Sequence, residues 1–226
     1  HTFTAAGNFT VVLTVTDNDG LTNSTSQLVR VLLYRLTIDV YTQKPDPYSG
    51  KGPNQPSDAF GPQTDVTLYA EVTYNYEPLE YKAVTFTVKD PNGITIESRS
   101  NNTDAYGIAE ISFRLPTNGT FGTWTAIARV EVSGRTAEDT LTFLVGWIIE
   151  IMKVATVDQS GAPKDSYFRG EVVYFDMDVK NIAFTSKSAM LTVTLLDEST
   201  QTIGVADLSV EVPPGTHAFN LLFDVR

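Results

Sequence analysis

The feature that most constrains this chain is a strict two-residue alternation of apolar and polar side chains, repeated in short runs along its length. In Phe9–Thr16 one side carries Phe9, Val11, Leu13 and Val15, and the other carries Thr10, Val12, Thr14 and Thr16. The same grammar gives Val66, Leu68, Ala70 and Val72; Val84, Phe86 and Val88; Ala109, Ile111, Phe113 and Leu115; and Trp124, Ala126, Ala128 and Val130. It returns in Val173, Phe175, Met177 and Val179; in Leu191, Val193 and Leu195; in Leu208, Val210 and Val212; and in Phe219, Leu221 and Phe223. Successive side chains of a strand point to opposite faces, so each row marks a half-buried strand. Thr and Val, 30 and 23 of the 226 residues, add a β-branched preference for extended backbone. A single sheet would leave one apolar row per strand in water, so an all-β chain of antiparallel sheets packed face to face is predicted.

Turn chemistry separates the rows. Asp17-Asn18-Asp19-Gly20, Asp90-Pro91-Asn92-Gly93 and Pro213-Pro214-Gly215 each place turn formers between alternating runs. Three segments follow: 1–33, 34–146 and 147–226. The junctions near Leu33–Tyr34 and Gly146–Trp147 contain no Gly/Ser-rich or Pro-rich linker, which predicts stiff connections. Segment 1–33 offers only two strands, too few to bury a core alone, and reads as the end of a sandwich begun elsewhere or supplied by another chain. Segment 147–226 reads as one strand short, and a chain that opens at His1 reads as a fragment or processed product. The Pro- and Gly-rich stretch Lys44–Gln63 is expected to be a long surface loop without strand or helix.

Composition excludes several classes of function. A net charge of -11 disfavours nucleic acid, and the absence of cysteine excludes disulfides, thiol catalysis and cysteine-based metal centres. No apolar run is long enough to span a bilayer as a helix. The two histidines, His1 and His217, lack ligand-type spacing, and no phosphate loop, serine elbow or paired-histidine motif occurs. Asp176 and Asp178 share a strand face, the ordinary mark of a wet face, and no catalytic residue is assigned.

Three groups of residues remain as candidate sites. Asp17, Asn18 and Asp19 gather oxygens in a tight turn, so calcium is the one cofactor considered, although none is required; the same residues also suit an Asx turn closed by Gly20. Sequons at Asn8, Asn23, Asn101 and Asn118 are glycosylation candidates, with Asn23 and Asn118 beside turns the better acceptors. Tyr69, Tyr74, Tyr76 and Tyr81 form a candidate binding surface, for which cross-strand packing is the competing reading.

His1-Thr2-Phe3, Gly7-Asn8-Phe9-Thr10-Val11, Leu13-Thr14-Val15-Thr16-Asp17 and Asp19-Gly20 resemble the C-terminal half of a polycystic-kidney-disease (PKD) domain. Val84–Gly93, Thr103-Asp104-Ala105-Tyr106-Gly107, Ile111–Pro116 and Gly122-Thr123-Trp124 resemble a macroglobulin-like or bacterial Ig-like domain. Gly170-Glu171-Val172-Val173 and Val179-Lys180-Asn181 are similar to adhesion-type Ig-like modules. These resemblances imply tandem Ig-like β-sandwiches from a prokaryotic, in particular archaeal, surface-layer or adhesin-type protein. They imply an extracellular, cell-surface or secreted location and a non-catalytic structural role. The implied partners are neighbouring domains, copies of the same surface protein, or envelope polysaccharide. A carbohydrate- or protein-binding adhesin module, or the accessory region of a secreted protease or glycosidase, is the alternative.

Overall fold

The computed structural model describes residues 6–32, 34–168 and 170–224; His1 and the rest of the His1-Thr2-Phe3 motif lie outside them. Sixteen strands and no helix occur among the described residues, and the chain is all-β with several antiparallel sheets.

Strands β1 (Gly7–Thr16) and β2 (Thr22–Val31) form a hairpin in which Phe9 faces Val29 and Leu13 faces Thr25. In the middle of the chain β5 (Asp65–Tyr74) is flanked by β3 (Leu36–Thr42) on one edge and by β9 (Ile108–Arg114) and the two-residue β6 (Glu77–Pro78) on the other. The opposing sheet runs β4 (Ser57–Phe60), β11 (Arg135–Val145), β10 (Gly122–Val132), β7 (Ala83–Lys89), β8 (Thr95–Asn102). Strand β4 corrects the expectation of an unstructured Lys44–Gln63: Ser57–Phe60 is the one piece between Pro56 and Gly61 free of backbone breakers, and it pairs parallel to β11. Towards the C-terminus β12 (Ile149–Val157), β13 (Val172–Asn181) and β16 (Gly215–Asp224) form one sheet, and β14 (Lys187–Leu196) with β15 (Thr202–Val212) another.

The alternating rows of the middle sandwich close over a single core. Val66, Leu68, Ala70, Val72, Val84, Phe86, Val88, Trp124, Ala126 and Ala128 are all fully buried, as their spacing predicts. Burying each larger side chain contributes about 1.5–3 kcal/mol relative to exposure, so this core dominates the stability of the segment. Trp124 satisfies its one polar atom by donating Nε1–H to the Thr120 carbonyl at 2.8 Å. A second, separate cluster unites Val173, Phe175, Met177, Val179, Leu191, Val212 and Leu221. Strand β12 is covered less completely: Ile151 and Val154 lie opposite buried Val179 and Met177, yet both are 55% exposed. The N-terminal hairpin shows the same alternation without cover, with Leu13 64% exposed, because no second sheet of the described residues lies against it.

One turn geometry recurs five times. Asp17, Asp90, Asp104, Asp158 and Asp197 each use Oδ1 to accept the backbone N–H groups two and four residues ahead. In each, the Asp backbone N–H donates to the carbonyl four residues on, and its own carbonyl accepts from the residue three on. That residue takes positive φ: Gly20, Gly93, Gly107 and Gly161 at four turns and Thr200 at the fifth. The pattern Asp-x-x-Gly thus encodes a tight turn with a left-handed position; it closes hairpins at Asp17, Asp90 and Asp197, and at Asp104 it carries the chain from β8 in one sheet to β9 in the other.

Candidate functional site

The joint between the two sandwiches is built from a very short connection and a folded-back loop. Only Gly146, Trp147 and Ile148 separate β11 from β12. The Gly146 N–H donates to the Phe60 carbonyl at 3.1 Å, and the Ile182 N–H donates to the Ile148 carbonyl at 3.1 Å. Loop 43–56 is pinned by Thr42, whose N–H donates to the Ser49 carbonyl and whose hydroxyl meets that of Ser57 at 2.6 Å. Gly50, at φ +83°, lies against Leu141 and the backbone of Ser57, where a Cβ would clash. This packing sets Asp58 at the joint, with its N–H bonded to the Tyr48 carbonyl at 2.9 Å.

Asp58 is only 3% exposed, and its Oδ1 accepts the N–H of Ala59 at 2.8 Å and of Phe184 at 2.7 Å. The second bond reaches from the middle sandwich to the segment linking β13 and β14. Charge-assisted bonds of this kind are short and stronger than neutral ones. Around it, the Tyr48 and Phe184 rings lie 6.4 Å apart, and Phe121 meets Trp147 edge-on at 5.8 Å.

The four candidate tyrosines occupy three places. Tyr69 stacks on Tyr41 with centroids 5.3 Å apart; Lys51 caps the Tyr41 ring at 4.8 Å and pairs with Glu71 at 2.6 Å. These rings and loop residues Lys44, Pro45, Asp46 and Ser49 line a groove of about 420 Å³. Tyr74 stacks on Tyr34, which lies under Arg135, and Tyr76 lies under Arg35 and accepts a hydrogen bond from its guanidinium at 3.0 Å. Tyr81 is exposed and meets neither group. Next to the groove, burial pushes the Asp39 carboxyl above the ordinary range, opposed by the Gly52 N–H and reinforced by Asp139.

At Asp17, Asn18 and Asp19 the geometry is that of the recurrent turn, with Asp17 Oδ1 engaged by two amides. No group of three or more His, Cys, Asp or Glu side chains able to hold a metal occurs among the described residues, and the sequence contains no cysteine. Asp176 pairs with Lys153 at 3.0 Å on the outer face. Of the sequons, Asn8, Asn23 and Asn118 are exposed; Asn101 is also exposed, but its amide donates to the Glu110 carbonyl at 2.8 Å. No helix of the described residues is long and apolar enough to cross a membrane.

Sequence reasoning missed Asp58, because a lone acid in a Pro/Gly-rich stretch carries no signal of where its loop folds back. It also missed Tyr41 as the partner of Tyr69, which only the β3–β5 register brings opposite.

No curated protein matches the chain. Among solved structures it is similar to a DUF4785 family protein of Legionella pneumophila, with 16% identity, TM-score 0.36, and coverage of 83% of this chain and 46% of that one. It is also similar to a tetra-tandem repeat in the extending region of a large adhesion protein, with 15% identity, TM-score 0.36, and coverage of 95% and 48%. A third similar structure is alpha-2-macroglobulin of Escherichia coli, with 11% identity, TM-score 0.39, and coverage of 96% and 21%. The chain thus spans less than half the length of each. Residues 62–145 match the family model of the MG2 domain, and the two packed sheets of this region are similar to a macroglobulin-like Ig fold.

Proposed function

We propose that the chain is a non-catalytic structural segment of an extracellular surface protein, in which units 1–33, 34–146 and 147–226 hold fixed spacing and offer sheet faces and ends to neighbouring domains or copies. The observation that carries this reading is the Asp58–Phe184 bond at a joint with only three connecting residues. A flexible tether would have no use for a buried carboxylate that fixes one sandwich against the next. Small-angle X-ray scattering of the purified chain tests it. A curve fitted by one fixed arrangement of the middle and C-terminal sandwiches supports the reading, and a curve that requires a broad ensemble of inter-sandwich angles contradicts it.

A second reading, an adhesin module that binds envelope polysaccharide, draws support from the groove beside Tyr41 and Tyr69. Its aromatic rings and mixed polar rim suit a hydroxyl-rich ligand. Loss of binding to isolated envelope glycans in Tyr41→Ala and Tyr69→Ala variants supports it; an absence of any binding by the parent chain removes it.

A further inference from the structure

Two lysines from different sandwiches converge on one groove at the joint. Lys44 leaves the end of β3 and Lys187 opens β14, and together with Phe60, Ile148, Gln43 and Asp65 they line a groove of about 410 Å³. The Lys44 ammonium lies 4.4 Å from the centre of the Phe60 ring. Among the described residues neither ammonium group takes part in an ion pair or a hydrogen bond; the Lys44 backbone N–H donates to Thr42 Oγ1 at 3.3 Å. Of the nearby acids, Asp58, whose Oδ1 is held by two amides, offsets the cost of the Lys44 charge only in part, and Asp65, exposed at the rim, has no ion pair among the described residues. Burial pushes the Lys44 ammonium below the ordinary lysine range; Asp58 opposes the shift, and Lys187 adds to it.

Two half-buried like charges facing one groove are costly in isolation, the more so when a chain of net charge -11 has acids to spare for pairing. The arrangement becomes favourable when an anion lies between them. We propose that the Lys44–Lys187 groove binds an oxyanion, a carboxylate or sulfate group, carried on an acidic saccharide or free in solution. Its oxygens accept from both ammonium groups while Phe60 and Ile148 supply an apolar wall. Because the two lysines belong to different sandwiches, the bound anion bridges them and tightens the joint. The scaffold reading does not depend on this site and survives its failure.

Isothermal titration of the full chain at low salt with trigalacturonate, sodium sulfate and maltotriose, at matched ionic strength, is the test. Trigalacturonate binds at one site per chain; Lys44→Gln and Lys187→Gln each weaken it about tenfold or more, Lys44→Arg retains it, and added sodium chloride weakens it. Sulfate binding with the same lysine dependence shows that the free anion suffices, and binding of trigalacturonate alone assigns the site to the saccharide. Absence of binding by both anions, binding that neither glutamine variant changes, or equal binding of neutral maltotriose overturns the proposal. Thermal unfolding verifies that each variant is folded, and Lys187→Gln decides the matter if Lys44→Gln is not.

Discussion

The Asp58 carboxylate accepts the Phe184 N–H at 2.7 Å across 126 positions of sequence, joining two sandwiches whose hydrophobic clusters are otherwise separate. Truncation to Asp58→Ala leaves both the Ala59 and Phe184 amides without their acceptor. An unsatisfied buried donor costs about 1–3 kcal/mol, so a lower unfolding temperature by circular dichroism is expected. Asp58→Asn keeps an oxygen acceptor and loses less.

The fifth recurrent turn offers a stabilising change. Thr200 sits at φ +62°, where glycines stand in the other four, and a β-branched residue is strained there. Thr200→Gly relieves that strain at some cost in unfolded-chain entropy, for a net gain of about 0.5–1 kcal/mol in urea unfolding. The counterpart Gly107→Ala has the opposite sign. Its backbone is at φ +75°, and the new Cβ would lie 2.6 Å from the Val72 carbonyl oxygen and 2.9 Å from the Leu79 nitrogen. A loss of more than about 2 kcal/mol is expected.

Asp39 gives a pH dependence with a definite sign. Burial raises its carboxyl above the ordinary value of 3.8, so the folded state binds the proton more tightly than the unfolded state. This group's contribution to stability therefore falls as pH rises from 3.8 through the raised value, and the penalty is complete above it. Asp39→Asn, which still accepts from the Gly52 N–H, is expected to be more stable than the parent at pH 7. The advantage shrinks as the pH falls towards 3.8, which thermal melts at a series of pH values measure.

Expression in a glycosylating host separates the sequons. Asn118 lies in the exposed turn closed by the Gly119 N–H and Pro116 carbonyl, whereas the Asn101 amide is committed to Glu110. Glycopeptide mass spectrometry is expected to find higher occupancy at Asn118 than at Asn101.

The inward rows of the middle sandwich were legible because their alternation is uninterrupted. Strand β12 was not, since a bulge between Ile151 and Lys153 shifts the apolar parity from Ile149 and Ile151 to Val154. Strand β11 carries Asp139 on its inner row, where the carboxylate accepts the Val40 N–H at 2.8 Å, so an acid interrupts the pattern at a place where a strand edge needs an acceptor. Phe9, Val11, Leu13 and Val15 share one face of β1, but periodicity shows which side chains share a face and not what covers it. The joint was illegible for a different reason: Asp58, Phe184, Lys44 and Lys187 meet through long-range packing that no local pattern records.

Whether Asp58 holds the joint fixed is read from the distance between its two sides. The chain has no cysteine, so Glu138→Cys on β11 and Ser209→Cys on β15, both exposed, take spin labels without further change. Pulsed electron resonance is expected to give one narrow distance distribution, broadened by Asp58→Ala. A broad or multiple distribution in the parent chain would show that the joint is mobile.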